Sequence, residues 1–370
     1  MMNMMPTVNS IWHPRNMCHM CVWFLHLAWS HYLAWHSHGR RGGRERDNVN
    51  TSKNAKKMVI FTSIVTGATS GIGYEIAKQL AISSSHVVLL CRTAASAKAA
   101  LKTMRKEVPG ASVEYFVVDL ANPESVLKFT REYMQKQEGR ESPPLKLLVN
   151  NAGVYSARIS YTRKYHLEQT FASNLFGHYI LMEELAPLLR STKGAIVSVS
   201  SFSHRAVSPS QFHLWLQEVH MPQGRRGREP EARSASSRLY PALAYACTKL
   251  AMVLLSGHKR SADETYRGIT LVCLDPGAIN TRITRNWPPL LSCVYAAVMK
   301  QIGLFNEGEK VAASLLEAVK QESSIRDSSS SPYLFGEQAV PLDTSRLSKD
   351  KDLALQLEAR MDMLRKKLTA

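Results

Sequence analysis

Short apolar runs alternate with amphipathic segments from residue 58 onward. The apolar runs lack regular polar alternation, which is typical of strands that are buried on both faces of a sheet. They predict strands at 59–65, 86–91, 113–118, 145–149, 194–200 and 268–274, and a last strand near 333–335. The segments between them repeat apolar positions every three to four residues. They predict helices at 71–82, 94–107, 123–137, 164–190 and 242–260.

This order of elements predicts an α/β fold, in which a doubly wound parallel sheet of six or seven strands (a Rossmann fold) lies between two layers of helices. We assign residues 58–370 to this single domain. The connection before the helix at 242–260 is rich in Arg, Ser and Gly over residues 224–238. We therefore interpret the region near 219–239 as a flexible surface insertion.

Residues 1–57 do not follow this pattern. Residues 17–35 are mostly apolar and approach the length of a membrane span, although three histidines interrupt them. Arg40, Arg41 and Arg44 follow, and they would keep the rest of the chain on the cytoplasmic side of a membrane. A membrane anchor, an organelle-targeting segment and a poorly ordered tail all remain open for this extension.

The composition is that of a globular protein, because 45% of the residues are hydrophobic and 21% are charged. The net charge of +17 would suit an anionic partner, but much of it lies outside the predicted core. Residues 1–58 carry eight Lys and Arg against two acids, and residues 219–239 carry five against two. No RNA-binding aromatic motif or zinc-finger spacing accompanies this charge, so we expect no nucleic-acid partner.

The six cysteines are scattered along the chain and predict reduced thiols rather than a disulfide framework. Cys18 and Cys21 form a CxxC pair near several histidines. No second pair follows at the spacing of a zinc site. We therefore expect no bound metal.

The most informative motif is the glycine-rich run at 66–73, between the first strand and the first helix. Gly67, Gly71 and Gly73 fit the three needs of a dinucleotide site, which are a sharp turn, close approach of the backbone to a pyrophosphate, and packing of the helix start on the sheet. Amide groups at the helix start would then bind phosphate. Similar turns also join strands to helices in proteins that bind no ligand.

A second position bears on the type of dinucleotide. A site that prefers NAD usually has an acid after the second strand, but this chain has Arg92 there. Arg92 could pair with a 2′-phosphate through a charge-assisted hydrogen bond, so NADP(H) is favoured over NAD(H). The alternative is an ordinary solvated arginine.

Tyr245 and Lys249 are four residues apart on a predicted helix and therefore share a face. A phenol keeps its proton up to about pH 10, but a nearby cation favours the phenolate and lowers its pKa. Tyr245 could then act as a general acid or base toward a carbonyl or an alcohol. Such pairs are also common on helix surfaces, and it is the glycine-rich run upstream that makes this one specific.

From about residue 58 to its C-terminus, the chain resembles the short-chain dehydrogenase/reductase family. The family's motifs occur in the family's order: TGATSGIG at 66–73, NNAG at 150–153, Asn174, Ser200-Ser201, YxxxK at 245–249, and Asp275-Pro276-Gly277 followed by Thr281. The resemblance implies hydride transfer between a nicotinamide cofactor and a carbonyl or alcohol carbon.

The resemblance also implies a catalytic tetrad. Tyr245 would be the acid or base, and Lys249 would lower its pKa and hold the nicotinamide ribose. Ser201 would bond the substrate carbonyl, and Asn174 would support a water-linked proton relay. Ser200 remains the alternative to Ser201, because neighbouring residues at a strand end face opposite sides.

A further set of residues would surround the cofactor if the resemblance holds. Asp119 would meet the adenine edge, the alternative being a simple cap of the following helix, and Thr281 would touch the carboxamide. The full implied set is Gly67, Ser70, Gly71, Ile72, Gly73, Arg92, Asp119, Leu120, Asn151, Ala152, Gly153, Tyr245, Lys249, Pro276, Gly277 and Thr281.

Within the family, the chain looks like the retinol dehydrogenase-like branch, which includes plant relatives. Residues 284–305 stand where family members have a substrate lid, and their apolar stretch at 287–299 implies either a hydrophobic substrate or plain core packing. Contact with a membrane surface and a homodimer are both compatible with this branch. A cytosol-facing membrane-associated or organellar location, in the endoplasmic reticulum or a plastid, is favoured over the free cytoplasm.

Two departures from the family pattern bear on these expectations. Ser201 and Tyr245 are unusually far apart in the chain, and residues 1–58 have no counterpart in the family. If the insertion near 219–239 lies against the site, the serine and substrate assignments weaken. The alternative function is a catalytically silent dinucleotide-binding scaffold or redox sensor that acts through partner contacts.

Overall fold

The computed structural model describes residues 61–83, 85–156, 158–220, 239–279, 305–320 and 333–369. The extension at 1–57, nearly all of the insertion near 219–239, and all but the last residue of the lid near 284–305 lie outside the described residues. None of the helices in the described ranges is long and apolar enough to cross a membrane. The candidate span at 17–35 lies outside those ranges.

Eight strands form the central sheet, in the order β10-β9-β6-β5-β4-β1-β2-β3. The seven that run parallel are β1 (Thr62–Thr66), β2 (His86–Cys91), β3 (Val113–Val117), β4 (Leu145–Asn150), β5 (Ala195–Val199), β6 (Thr270–Asp275) and β9 (Tyr333–Phe335). β10 (Val340–Pro341) adds an antiparallel edge, and β7 (Ala278–Ile279) pairs separately with β8 (Phe305–Asn306). The predicted parallel sheet of six or seven strands is therefore confirmed.

Helices cover both faces of the sheet. They are α1 (Gly71–Ile82), α2 (Ala94–Glu107), α3 (Pro123–Glu138), α4 (Gly177–Ser191), α5 (Pro209–Glu218), α6 (Pro241–Ala262), α7 (Gly308–Lys320) and α8 (Lys351–Thr369). A short turn at Gln169–Phe171 and a π-helical turn at Ala172–Phe176 lead into α4. Short 3₁₀ helices lie at Phe202–Ala206, Glu264–Tyr266 and Arg346–Lys349. Of the eight numbered helices, α5, α7 and α8 were not predicted by the sequence pattern, and neither were the 3₁₀ helices.

Two buried clusters show how the sheet separates the helix layers. Ile64 of β1 belongs to one cluster, with buried residues of α3, α4 and α6. Val65, the next residue, belongs to the other cluster, with buried residues of α1, α2 and α7. Because side chains alternate along a strand, a strand that is apolar throughout must be covered on both sides. The predicted three-layer arrangement is confirmed.

The order of the strands creates a crevice at one end of the sheet. The chain moves from β1 outward to β2 and β3, and then returns to place β4 on the other side of β1. The parallel register pairs Val65 of β1 with Val149 of β4, so their carboxyl ends lie side by side. In doubly wound sheets, ligands bind at the carboxyl ends of the strands where the winding direction changes.

The predicted helix at 164–190 begins later than expected. His166 has a φ of 52°, a left-handed conformation that cannot continue an α-helix. The helical turns begin after Glu168, whose buried carboxylate accepts hydrogen bonds from two amides of the first turn at 2.8 and 2.7 Å. The periodic apolar positions before this cap belong to a turn, so the predicted start at residue 164 is wrong.

Candidate active site

The glycine-rich turn connects β1 to α1 at the crevice. Gly67 and Gly71 have φ angles of 65° and 59°, where any other residue would be strained. Gly73 has an ordinary backbone conformation but no room for a side chain, because a Cβ there would lie 2.2 Å from Nδ2 of Asn151. The sequence therefore needs glycine at these three positions for two different reasons, conformation and close packing.

The first main-chain amides of α1 have no side-chain cap. Ser70 occupies its N-cap position without a side-chain hydrogen bond, and the first turn holds no acidic residue. By contrast, Thr93 caps α2 and Asn122 caps α3 with their side chains. The first amides of a helix lack intrahelical partners and form a site for anions. Ile72 lies buried in this first turn, so the available groups are those of the backbone.

The NNAG segment after β4 is tied to the end of β1. Asn151 donates its main-chain amide to Oγ1 of Thr66 at 2.9 Å and its side-chain amide to the Thr66 carbonyl at 2.8 Å. The amide of Ala152 also donates to Thr66 Oγ1 at 2.9 Å. A Cβ on Gly153 would lie 3.8 Å from both Oδ1 of Asn174 and Nζ of Lys249. This segment therefore connects the glycine-rich turn to Asn174 and Lys249, two residues of the predicted tetrad.

The residues expected at the adenine end follow β2 and β3. Arg92 is exposed directly after β2. Asp119 is exposed after β3, and its Oδ1 accepts a hydrogen bond from the amide of Ala121 at 3.0 Å. Asn122, not Asp119, caps α3, so the alternative in which Asp119 is the helix cap is wrong. The backbone of Leu120 packs against Gly177 at the start of α4. A Cβ added to Gly177 would lie 2.3 Å from the carbonyl oxygen of Leu120.

Tyr245 and Lys249 share a face of α6, and Nζ of Lys249 lies 5.4 Å from the centroid of the Tyr245 ring. The lysine is buried and donates to the Val199 carbonyl at 2.7 Å. Burial lowers its pKa to about 8, although the attraction of Asp275 opposes this shift. An ammonium has three donors. Among the described residues its acceptors are this one oxygen and the sulfur of Met252, a weak acceptor at 3.9 Å, so oxygen ligands can still be accommodated.

The two serines after β5 are placed differently. Ser200 is buried, and its hydroxyl donates to the Lys249 carbonyl at 3.0 Å, so it fastens the strand to α6. Ser201 is partly exposed and begins the 3₁₀ helix, where its side chain accepts a hydrogen bond from the amide of Ser203 at 3.3 Å. Ser201 therefore keeps its hydroxyl proton for another acceptor, which agrees with its assignment over Ser200.

Asn174 lies in the π-helical turn and is buried. Its side-chain amide makes a pair of hydrogen bonds with the backbone of Val154, one at 2.8 Å to the amide and one at 2.9 Å to the carbonyl. Both ends of the side chain are thus used to hold the loop after NNAG. Any role of Asn174 in a proton relay would fall to its main chain.

The PG motif follows β6. Asp275 is buried, and its carboxylate accepts hydrogen bonds from the Gly277 amide and the Tyr333 hydroxyl, both at 2.9 Å. Burial raises the pKa of Asp275 to about 6. Gly277 has a φ of 69°, and the Pro276 carbonyl accepts a bond from Asn306 at 2.7 Å. The implied contact residue Thr281 lies outside the described residues.

Comparisons with known proteins agree with this geometry. The sequence model of the short chain dehydrogenases matches residues 62–212, from β1 into α5. The protein dpchH, a short chain dehydrogenase/reductase of Colletotrichum higginsianum, is 32% identical over 240 residues, which are 62% of this chain and 57% of that protein. Polyprenol dehydrogenase of Homo sapiens is 30% identical over 230 residues, which are 60% of this chain and 62% of that protein. Over this region the chain is similar to the short-chain dehydrogenases.

Two further comparisons extend the similarity to a plant protein and to a solved structure. The family member FEY of Arabidopsis thaliana is 29% identical over 270 residues, which are 70% of this chain and 64% of that protein. In these three comparisons the chain spans less than two thirds of the relative's own length. A short-chain dehydrogenase/reductase of unknown function from Caenorhabditis elegans has a TM-score of 0.56 at 20% identity, and the match covers 77% of this chain and 97% of that one. This likeness shows the shared fold.

Three residues of the candidate site were not found from the sequence. Tyr155 packs its ring at 5.1 Å from that of Tyr245, and burial raises its pKa. Thr66 holds the NNAG segment, as described above, and His178 contacts Thr66. Tyr155 lies two residues after NNAG, and His178 lies one helical turn after Asn174. These positions are the signals that could have marked them.

Proposed function

We propose that the protein is an NADP(H)-dependent oxidoreductase that moves a hydride between nicotinamide and a carbonyl or alcohol carbon, on a lipophilic substrate. The observation that carries the proposal is the buried Lys249 beside Tyr245, next to Gly153 at the carboxyl ends of the central strands. A buried cation with unused donors is costly unless the site binds oxygen ligands. The proposal gives those donors a use.

The residues present fit the cofactor. The uncapped amides of α1 would hold its pyrophosphate, and the spare donors of Lys249 would hold its nicotinamide ribose. The exposed Arg92 would pair with a 2′-phosphate. The bound nicotinamide would supply or accept the hydride. The remaining cofactor contacts inferred from the sequence, including Asp119 and Thr281, are part of this proposal.

Side chains and backbone of the protein would transfer the proton to or from the substrate oxygen. Tyr245 would donate a proton to the carbonyl oxygen in reduction and accept one from the alcohol in oxidation. Lys249 would stabilise the phenolate, because with a pKa of about 8 the amine keeps its proton at neutral pH. Ser201 would donate a hydrogen bond to the same substrate oxygen. The main-chain carbonyl of Asn174 would support the proton relay behind Lys249.

The substrate class rests on two observations. Residues 287–299 contain no charged side chain, and they stand where the family has its substrate lid. One relative at 30% identity is a polyprenol dehydrogenase, whose name denotes a long apolar alcohol. We infer a retinoid, steroid, or long-chain alcohol, aldehyde or ketone as the substrate class, and with it the retinol dehydrogenase-like branch and a membrane-associated or organellar location.

Purified protein mixed with NADPH and a panel of apolar aldehydes and ketones tests the function, with NADP⁺ and the matching alcohols for the reverse direction. The nicotinamide absorbance reports turnover. Short polar carbonyls serve as the matched control panel and should react much more slowly. Dinucleotide binding without turnover on either panel would contradict the enzymatic proposal and favour the silent scaffold.

Arg92→Ala should separate the two cofactors. We expect the Kd for NADPH to rise by about tenfold, because one charge-assisted bond to the 2′-phosphate is lost, while the Kd for NADH stays unchanged. Isothermal titration with each dinucleotide measures both values. The matched control is Arg131→Ala, a change on α3 away from the cofactor end. Equal effects on NADPH and NADH would contradict the role of Arg92.

Ser201→Ala should lower kcat by roughly 10- to 1,000-fold, since it removes one donor to the developing oxyanion, with little change in folding stability. Ser200→Ala removes the buried bond to the Lys249 carbonyl and should instead lower the free energy of unfolding by about 1 kcal/mol. Steady-state kinetics and denaturant unfolding of both variants distinguish these effects. The reverse pattern would assign the catalytic role to Ser200.

A further inference from the structure

His178, the second residue of α4, connects two parts of the site that are far apart in the chain. Its side chain is buried. Nε2 lies 2.9 Å from Oγ1 of Thr66 at the end of β1, and Nδ1 lies 2.9 Å from the main-chain carbonyl oxygen of Asn174 in the π-helical turn. One imidazole thus contacts both the strand that leads into the glycine-rich turn and the turn that carries Asn174.

The direction of these hydrogen bonds follows from the chemistry of the partners. The Asn174 carbonyl can only accept, so Nδ1 of His178 carries the proton and donates. In a neutral ring Nε2 is then an acceptor, and Thr66 must donate its hydroxyl proton to it. The two lone pairs of that hydroxyl accept the amides of Asn151 and Ala152. The Val149 carbonyl oxygen also lies 3.3 Å from this hydroxyl and is a second possible acceptor for its proton, but the contact with Nε2 is shorter, at 2.9 Å.

The environment keeps this imidazole neutral. Burial lowers the pKa of His178 to about 4, the bond to the Asn174 carbonyl opposes the shift, and the positive charge of Lys249 adds to it. A proton on Nε2 would also need an acceptor, but the lone pairs of Thr66 Oγ1 already serve two amides. Hydrogen-bond satisfaction and burial therefore select the same tautomer.

We propose that His178 is a positioning residue that joins the dinucleotide-binding and proton-transfer halves of the site through one hydrogen-bonded chain. The chain runs from Asn174 through His178 and Thr66 to the amides of the NNAG segment. Gly153 of that segment lies close to Asn174 and Lys249, so both ends of this series of hydrogen bonds lie beside the predicted catalytic residues. The inference deepens the proposed function and rests on it.

A core histidine without this role would affect stability alone. A positioning role predicts in addition that His178 and Thr66 act as one unit on dinucleotide binding. Removing either partner breaks the same chain, so removing the second should cost little more. This expectation can be measured as a coupling between two substitutions.

The experiment is a double-mutant cycle of His178→Leu and Thr66→Val, with the Kd for NADPH as the readout. We expect each single variant to weaken binding by about tenfold and the double variant by about the same factor. Thr130→Val is the control, because it removes a buried hydroxyl that, among the described residues, donates to the Leu127 carbonyl within α3. Alone it should leave the Kd unchanged, and combined with His178→Leu it should add nothing to that variant's effect.

A second measurement needs only the unaltered protein. Imidazole ¹⁵N NMR should find His178 neutral, with the proton on Nδ1, between about pH 5 and 8. His178→Gln assigns the signal, and because glutamine keeps one donor and one acceptor, it should recover part of the dinucleotide affinity. This measurement can overturn the inference even if the leucine and valine variants do not fold, and the dinucleotide affinity of His178→Gln then tests the positioning role.

The outcomes are distinct. If the unaltered protein and Thr130→Val bind no dinucleotide, the proposed function fails and the inference falls with it. If they bind but the effects of His178→Leu and Thr66→Val multiply to about a hundredfold, the two residues act separately and the inference alone is overturned. A proton on Nε2, or a charged ring in the neutral pH range, overturns it as well.

Discussion

Tyr245→Phe should lower kcat by roughly 100- to 10,000-fold, while the Kd for the dinucleotide changes by less than about threefold. The substitution removes only the hydroxyl that would transfer the proton. Phenylalanine retains the ring that packs at 5.1 Å against Tyr155 and lies beside Lys249, so the surrounding packing should persist. Steady-state kinetics on the best substrate of the apolar panel, together with isothermal titration of NADPH, measure the two effects.

Tyr115→Phe is the matched control, because it removes a phenolic oxygen from the edge strand β3, away from the crevice. It should leave both kcat and Kd unchanged. Full turnover by Tyr245→Phe would remove the proton-transfer role from Tyr245. A loss of dinucleotide affinity equal to the loss of kcat would make Tyr245 a binding residue instead.

Lys259→Met should lower the free energy of unfolding by about 3 kcal/mol, because it removes a buried cation that three partly buried carboxylates share. The side chain of Lys259 is only 3% exposed. Its Nζ lies 2.8 Å from Glu183 of α4 and 2.9 Å from Asp263, and it also pairs with Glu358 of α8. This cation therefore joins α4, α6 and the C-terminal helix, and denaturant unfolding at neutral pH measures its contribution.

Lys128→Met supplies the contrast on α3. Its pair with Glu132 spans 3.8 Å with side chains 74% and 48% exposed, and such a pair contributes about 0.5 kcal/mol or less. Similar losses in the two variants would contradict the importance of the ion pairs around Lys259.

Burial lowers the pKa of Lys259, but its carboxylate partners outweigh this and raise the pKa above the ordinary 10.5. Its stabilisation is thus complete below that value and is lost as the pH rises through the folded-state pKa.

The buried ammonium of Lys249 differs from that of Lys259, because its surroundings lower its pKa. No described carboxylate pairs with its Nζ within hydrogen-bonding distance, and burial lowers its pKa instead of raising it. The folded protein without ligand therefore carries a buried ammonium with one oxygen acceptor and one weak sulfur acceptor among the described residues, which costs free energy. In the proposed function, this cost is offset when the oxygens of the dinucleotide arrive.

The local parts of the fold were predictable because local interactions determine them. The helix at 71–82 and the strand at 86–91 have the predicted bounds, since each is specified by its own apolar spacing and by a turn or cap beside it. The helix predicted from residue 164 failed where a long-range contact intervened, because Leu167 pairs with His220 across the chain. The spacing of apolar residues within a segment cannot predict a contact with a distant segment.

In the candidate site too, the motifs predicted some features and the long-range contacts determined others. Motif order alone placed Tyr245, Lys249 and Ser201 in the site, but it left Ser200 open as an alternative. The bond from Ser200 to the Lys249 carbonyl spans 49 residues and became visible only in three dimensions. The contact between His178 and Thr66 spans 112 residues, and no pattern within either segment points to it.

The amino-acid sequence by itself determined the alternation of strands and helices, the glycine-rich turn and the residues that could carry the chemistry, because each depends on neighbours within a few positions. Only the tertiary structure decided which hydroxyl is already hydrogen-bonded, which buried lysine has no ion-pair partner among the described residues, and which histidine contacts both halves of the site. The physical reason is that hydrogen-bond satisfaction and desolvation depend on groups that the folded sheet brings together from distant segments.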